Sequence, residues 1–267
     1  MKRWSWPVMG SYASLAIADE APDPLAAVAA ARAWLESVEA ALSPYRPDSD
    51  LCRWRSGAAD LADCSPLLRE VIDQVRDLPG LTDGGFHPYD REGRYDPTGY
   101  VKGWAVQRAV AILARSGVRD ACLGVGGDIQ TIGRSGADRP WRVAVTDPAH
   151  EGRILAMIAA PEDGSRFAVA TSGDAQRGDH IWAGSRLTTG LGRSRAGAGL
   201  GSVTVVGPDL CLADAFATAV WAHARTRQLD EAWAWLEGTS YEALAVGRTG
   251  SIRTTATMSA HLARPAA

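Results

Sequence analysis

The feature that most constrains the fold is an order of patterns: short strand-like segments follow one another through the middle of the chain, with helical patterns before and after. Residues 121–125, 141–146, 154–159, 167–171 and 201–206 each read as a strand. An uninterrupted series of this kind, with helices segregated to either side, predicts α+β architecture over a doubly wound parallel sheet. The expectation is mixed or antiparallel sheets with flanking helices in a single large domain spanning residues 1–267. There is no internal repeat and no low-complexity linker.

The flanking patterns are explicit. Residues 7–17 alternate loosely and read as a first strand, with Met9-Gly10 near its start. Asp23 as N-cap and Pro24 at the first helical position open a helix that runs to residue 42, with apolar residues at three- and four-residue steps. Ser65-Pro66 repeats the signal for a helix over 65–77. Residues 79–99 are rich in Gly and Pro and read as a long irregular segment, the kind that in a compact domain is usually functional. Helical periodicity returns over 104–114, 213–224 and 229–236, and residues 241–246 and 252–258 read as closing strands.

Composition narrows the function classes. The chain is 46% hydrophobic and 22% charged with a formal net charge of −3. That balance argues against a sequence-independent nucleic-acid binder, which normally shows a basic stripe. No apolar run approaches the roughly 18 residues of a membrane span. The opening MKRWSWPVMGSY is too short in apolar residues for a signal-peptide core, so the chain as given reads as cytoplasmic. Four cysteines without C-x-x-C spacing read as reduced, buried apolar residues.

Candidate chemistry begins at Asp96-Pro97-Thr98-Gly99-Tyr100-Val101-Lys102-Gly103, where the irregular segment meets a helix. Lysine occurs only at positions 2 and 102, against a combined Lys and Arg count of 28. A lone internal Lys at a helix entrance supplies a compact point charge beside free backbone N–H groups, a phosphate-binding corner or else an ordinary loop–helix junction. Asp214 and Thr218 are four apart in one helix and share a face. A carboxylate plus a hydroxyl suits a hard cation such as Mg²⁺, with Mn²⁺ equally served by oxygen ligands. The structural alternative is an Asp complementing the helix dipole and a Thr bonded to its i−4 carbonyl. Gly126-Gly127-Asp128 permits close backbone approach to a ligand, or simply ends a strand. His180, after Thr171-Ser172-Gly173-Asp174, is a candidate proton acceptor near neutral pH. G-x-G-x-x-G, Walker-type and G-x-S-x-G patterns are absent from the sequence.

The ordered set resembles the ApbE-type FAD:protein FMN transferases. Its members are Met9-Gly10, Leu42-Ser43-x-Tyr45, Asp48-Ser49-Asp50-Leu51, Thr82-Asp83-Gly84-Gly85-Phe86, Asp96-Pro-Thr-Gly-x-Val-Lys-Gly-Trp104, Gly126-Gly127-Asp128-Ile129, Thr171-Ser172-Gly173-Asp174, His180-Ile181 and Ala213-Asp-Ala-x-Ala-Thr218. The resemblance implies an ApbE-like, T-fold-like domain that moves FMN from FAD to a Thr or Ser hydroxyl of an acceptor flavoprotein and releases AMP. It implies FAD contacts at Met9, Tyr45, Gly85, Phe86, His87, Asp96, Lys102 and Ile181. It implies Mg²⁺ on the Gly99 carbonyl, Asp214 and Thr218, and His180 as the group that deprotonates the acceptor. The chain also departs from the family pattern. The 87–95 segment is short, His87 replaces the usual Asp, Trp182-Ala183-Gly184 replaces an acid and Pro, and an Asn is missing near Trp54-Arg55. Two other functions share these residues: an FAD pyrophosphatase giving FMN and AMP, and a flavin-binding module without turnover.

Overall fold

The computed structural model describes residues 1–90, 92–137, 139–150, 152–173, 199–225 and 229–263. Its centre is an eight-stranded sheet in the order β1-β2-β3-β4-β7-β8-β9-β10, every neighbouring pair antiparallel. The strands are β1 Lys2–Val8, β2 Ser11–Ile17, β3 Ala121–Val125, β4 Asp128–Ile132, β7 Phe167–Gly173, β8 Leu200–Gly207, β9 Glu242–Gly247 and β10 Ile252–Thr254. A separate two-stranded hairpin, β5 Arg142–Thr146 with β6 Ile154–Ala159, is inserted between β4 and β7. The α-helices among the described residues are α1 Pro24–Leu42, α2 Asp50–Arg55, α3 Pro66–Val75, α4 Leu78–Leu81, α5 Thr98–Arg115, α6 Leu210–Ala224 and α7 Leu229–Trp233, with 3-10 turns at Leu61–Asp63, Ala234–Leu236 and Met258–His261. The α+β expectation holds, with the main sheet antiparallel throughout.

Strand periodicity explains why the sheet carries two covers. On β7 Ala168 and Ala170 join the core that holds α1, α5 and α6, while Phe167 and Val169 join a second core with Val143, Val145 and Ile158 of the hairpin. On β9 Ala243 and Ala245 face the first core and Leu244 and Val246 the second. Alternate side chains point to opposite faces, so a strand covered on both sides reads as a continuous apolar run. Small residues line the helical side and admit the helices closely.

Several boundaries differ from the sequence expectation. The first strand is two strands: Met9 (φ 54) and Gly10 (φ 66) form the two-residue turn of a hairpin. Paired positive φ values are those of a type I′ turn, whose twist matches its strands. Trp and Pro obscured the alternation of β1, and Pro7 is tolerated because β1 is an edge strand. Gly126 (φ 55) and Gly127 (φ 92) form an equivalent turn, so Asp128 opens β4 instead of ending β3. Helix α5 begins at Thr98, six residues before the expected start, because Gly99 and Gly103 mask its periodicity. Residues 78–81 form a short helix at the start of the expected irregular segment, residues 50–55 form another to which the sequence assigned no element, and 252–258 is a three-residue strand followed by a 3-10 turn at Met258–His261. The caps behave as read: Asp23 accepts from the Ala26 N–H at 3.0 Å and Ser65 from the Leu67 N–H at 3.2 Å.

Candidate active site

Antiparallel helices α5 and α6 cross at two glycines. A Cβ placed on Gly99 would lie 2.7 Å from Thr218 Oγ1, and one on Gly103 would lie 2.5 Å from the Leu210 carbonyl oxygen and 2.8 Å from Asp214 Cβ. All three contacts are closer than real Cβ atoms tolerate: at Gly103 only glycine lets the backbone meet that of Leu210, and at Gly99 a side chain would press on Thr218. The Gly103 N–H, which a regular helix directs at the Gly99 carbonyl, donates to Asp214 Oδ2 at 2.9 Å. Asp214 is 5% exposed. Ser172 Oγ of β7 lies 3.4 Å from Thr218 Oγ1. A carboxylate, two hydroxyls and a helical glycine backbone thus gather at one crossing.

This donor set is all oxygen, with one carboxylate. Among the described residues there is no group of three or more His, Cys, Asp or Glu able to hold a metal ion. The chemistry fits a hard divalent cation that takes the remainder of its shell from water and phosphate. The cradle at Gly99 supports the fit, since any side chain there would fill the space beside Thr218.

Lys102, expected as a point charge for phosphate, lines two adjoining clefts and is also paired with a buried acid. Its Nζ lies 2.5 Å from Asp128 Oδ2, and the Asp128 side chain is 1% exposed. The Lys102 stem passes Gly126, where an added Cβ would approach its Cδ to 3.8 Å. Asp128 Oδ1 also accepts from the Thr171 N–H at 3.3 Å, tying β4 to β7 behind the site. The site therefore includes an acidic residue that spacing alone left as a turn. The signal was present: a lone internal Lys, and an Asp directly after a Gly-Gly turn.

The turn at 82–87 brings the next group. Thr82 Oγ1 donates to the Leu78 carbonyl at 2.7 Å and accepts from the Phe86 N–H at 2.9 Å. Buried His223 of α6 pairs its Nε2 with the Thr82 carbonyl at 2.8 Å. A carbonyl only accepts, so Nε2 carries the proton. Gly85 lies against that imidazole, with 2.5 Å from an added Cβ to His223 Cδ2. Phe86 is buried in the core and His87 is half-buried. Asp96 sits where the segment enters α5, its Oδ1 accepting from the Thr98 N–H at 3.1 Å.

A cleft of about 360 Å³ runs past Tyr45, Gly85, Phe86, His87, Asp96, Gly99, Lys102, Asp214 and Thr218. One wall comes from β5 and the turn after it, including Val143, Val145 and Pro148. A smaller cleft of about 170 Å³ lies between the Met9-Gly10 turn and the end of α1, and it shares Tyr45, Thr98 and Lys102 with the first. Tyr45 is 76% exposed at their junction. All described residues expected to contact FAD or the metal thus line one or both of two adjoining clefts. His180 and Ile181 lie outside the described residues.

The model of the ApbE family matches residues 9–93 and 88–245, and the chain belongs to that family. A FAD:protein FMN transferase of Rhodobacter capsulatus is 37% identical over 123 residues, which is 45% of this chain and 22% of the relative. One from Vibrio cholerae is 27% identical over 189 residues, 52% of this chain and 55% of the relative. The chain therefore spans less than two thirds of either. Two solved structures share the fold: a flavin transferase ApbE from Vibrio cholerae (TM-score 0.75, 21% identity, 98% of this chain and 99% of that one) and an ApbE protein from Thermotoga maritima (TM-score 0.79, 19% identity, 98% and 99%). Among the described residues, no helix is long and apolar enough to cross a membrane.

Proposed function

We propose that this chain, acting as a single flavin transferase-like unit, transfers FMN from FAD to a Thr or Ser hydroxyl of an acceptor protein and releases AMP. The observation that carries the reading is the α5–α6 crossing, where Gly99 meets Thr218 and the Gly103 N–H meets Asp214. It supports Asp214, Thr218 and the Gly99 carbonyl as holders of Mg²⁺ or Mn²⁺. Family membership and the FAD:protein FMN transferase relatives support the substrate and the protein acceptor.

In the proposed reaction the acceptor oxygen attacks the phosphorus of the FMN half. The bond from that phosphorus to the oxygen shared with the AMP half breaks, and AMP leaves with the bond electrons. A bound divalent cation would neutralise pyrophosphate charge as it develops. Lys102, anchored by Asp128, orients the same phosphates as a fixed point charge. Met9, Tyr45, Gly85, Phe86, His87 and Asp96 bind the remainder of FAD in the two adjoining clefts, and Ile181 is assigned to FAD on the family resemblance alone. The acceptor proton is assigned to His180 on the family resemblance.

The test is AMP release from FAD and Mg²⁺ with and without candidate acceptors, such as products of neighbouring genes. Acceptor-dependent AMP together with an FMN-sized mass gain on the acceptor is the expected result. AMP formed at an acceptor-independent rate would make the protein a pyrophosphatase. FAD binding with no AMP under any condition would make it a binding module.

A further inference from the structure

We infer that Arg55 is a positioning residue for Asp96: it neutralises that carboxylate and fixes it as an acceptor for a hydrogen-bond donor on the substrate. The inference rests on the proposed FAD reading and deepens it. Arg55 is the last residue of α2 and its side chain is 11% exposed. Its Nη2 lies 3.7 Å from Asp96 Oδ1. Its Nε and Nη2 are buried without a hydrogen-bond partner among the described residues, as is the hydroxyl of Tyr95 next to Asp96. A buried guanidinium without full hydrogen bonding is costly, so its position requires a compensating role.

Charge balance supplies that role. The substrate carries a negative pyrophosphate, yet the cleft is lined by Asp90, Asp96 and Asp214 with Asp128 close behind. Asp90 is paired with Arg94 and Asp128 with Lys102, and Asp214 belongs to the proposed cation. Asp96 is met by Arg55 from behind. Without that positive charge Asp96 would repel the phosphates across the cleft. Geometry adds direction. The Thr98 N–H and the Arg55 guanidinium both approach Oδ1, and among the described residues no hydrogen bond or ion pair engages Oδ2. Oδ2 of a neutralised, ionised Asp96 can only accept, so it selects a hydroxyl or amine of the ligand and rejects an oxyanion.

The experiment is a fluorescence titration of FAD in EDTA, where no turnover competes, alongside steady-state kinetics with Mg²⁺. Arg55→Gln should weaken FAD binding about tenfold or more, as expected for losing a buried charge-assisted contact. KM should rise in parallel while kcat changes little. Arg55→Lys should restore most of the affinity. In an Asp96→Asn background, where no charge needs neutralising, Arg55→Gln should have little further effect. A merely structural arginine would give the same loss in both backgrounds, and that additivity would overturn the assignment. So would unchanged FAD affinity in a folded Arg55→Gln protein. If Arg55→Gln does not fold, the Arg55→Lys and Asp96→Asn/Arg55→Gln proteins decide: near-normal and equal to Asp96→Asn, respectively, supports the inference, and any other pairing overturns it. Absence of FAD binding by the unsubstituted protein would overturn the functional reading and this inference together.

Discussion

Gly103 and Asp214 meet through backbone and side chain at once: the Gly103 N–H donates to Asp214 Oδ2 at 2.9 Å, and a Cβ on Gly103 would stand 2.8 Å from Asp214 Cβ. The proposed metal carboxylate is thus fixed by a residue whose side chain is absent by necessity. In an exposed helix, Gly→Ala would add up to about 1 kcal/mol of stability. Here the added methyl meets the Leu210 carbonyl at 2.5 Å. Gly103→Ala should therefore destabilise the fold by about 1–3 kcal/mol, the usual cost of overpacking, and lower turnover. A denaturant midpoint equal to or above wild type would show that α5 and α6 separate freely.

Lys102 and Asp128 form a pair with the acid almost fully enclosed. Removing only the cation leaves a buried carboxylate uncompensated, which costs about 3–5 kcal/mol. Lys102→Met should lower the melting temperature sharply, and adding Asp128→Asn should recover part of that loss. Equal melting temperatures for the single and double variants would show that the pair is not coupled.

Thr82 holds the turn that delivers Phe86 and His87 to the cleft, through bonds to the Leu78 carbonyl and the Phe86 N–H. Thr82→Val keeps the shape but strands the Phe86 N–H, at about 1–3 kcal/mol. Thr82→Ser retains the hydroxyl and should stay near wild type. Chemical denaturation of the two variants checks the contrast, and indistinguishable curves would remove the hydroxyl from the account.

The turn after β5 borders the cleft through Pro148 and depends on Asp147. The Ala149 N–H bonded at 2.9 Å, followed by His150 and Arg153, holds this carboxyl below the usual carboxylate range. A lowered folded value means the stabilisation is complete above the ordinary carboxylate pKa and is lost as pH falls through the folded value. Asp147→Asn should flatten that acid limb of the stability profile and leave its shape near neutrality unchanged. An acid limb identical to wild type would show that Asp147 does not contribute to it.

Much of the site was legible because its residues come in local patterns. Asp214 and Thr218 share a helical face by spacing alone, and the strands of the second core were visible as apolar runs. The obscured parts share one physical cause, which is tertiary contact overriding local signals. Helix α5 looked like loop at its start because Gly99 and Gly103 serve the neighbouring helix rather than their own. Asp128 looked like turn because its meaning lies in Lys102, which sits on a different element. Arg55 carried no local signal, since its relation to Asp96 spans separate elements. Strand β1 was masked by its own Trp and Pro content.

In the proposed reaction FMN transfer runs through the oxygen site at the α5–α6 crossing. Its most direct test is the intact mass of an acceptor protein after incubation with FAD and this chain, in Mg²⁺ or EDTA, comparing wild type with Asp214→Ala. An FMN-sized gain is expected only with wild type and Mg²⁺, while Asp214→Ala still binds some FAD. An undiminished gain in EDTA, or with Asp214→Ala, would contradict it.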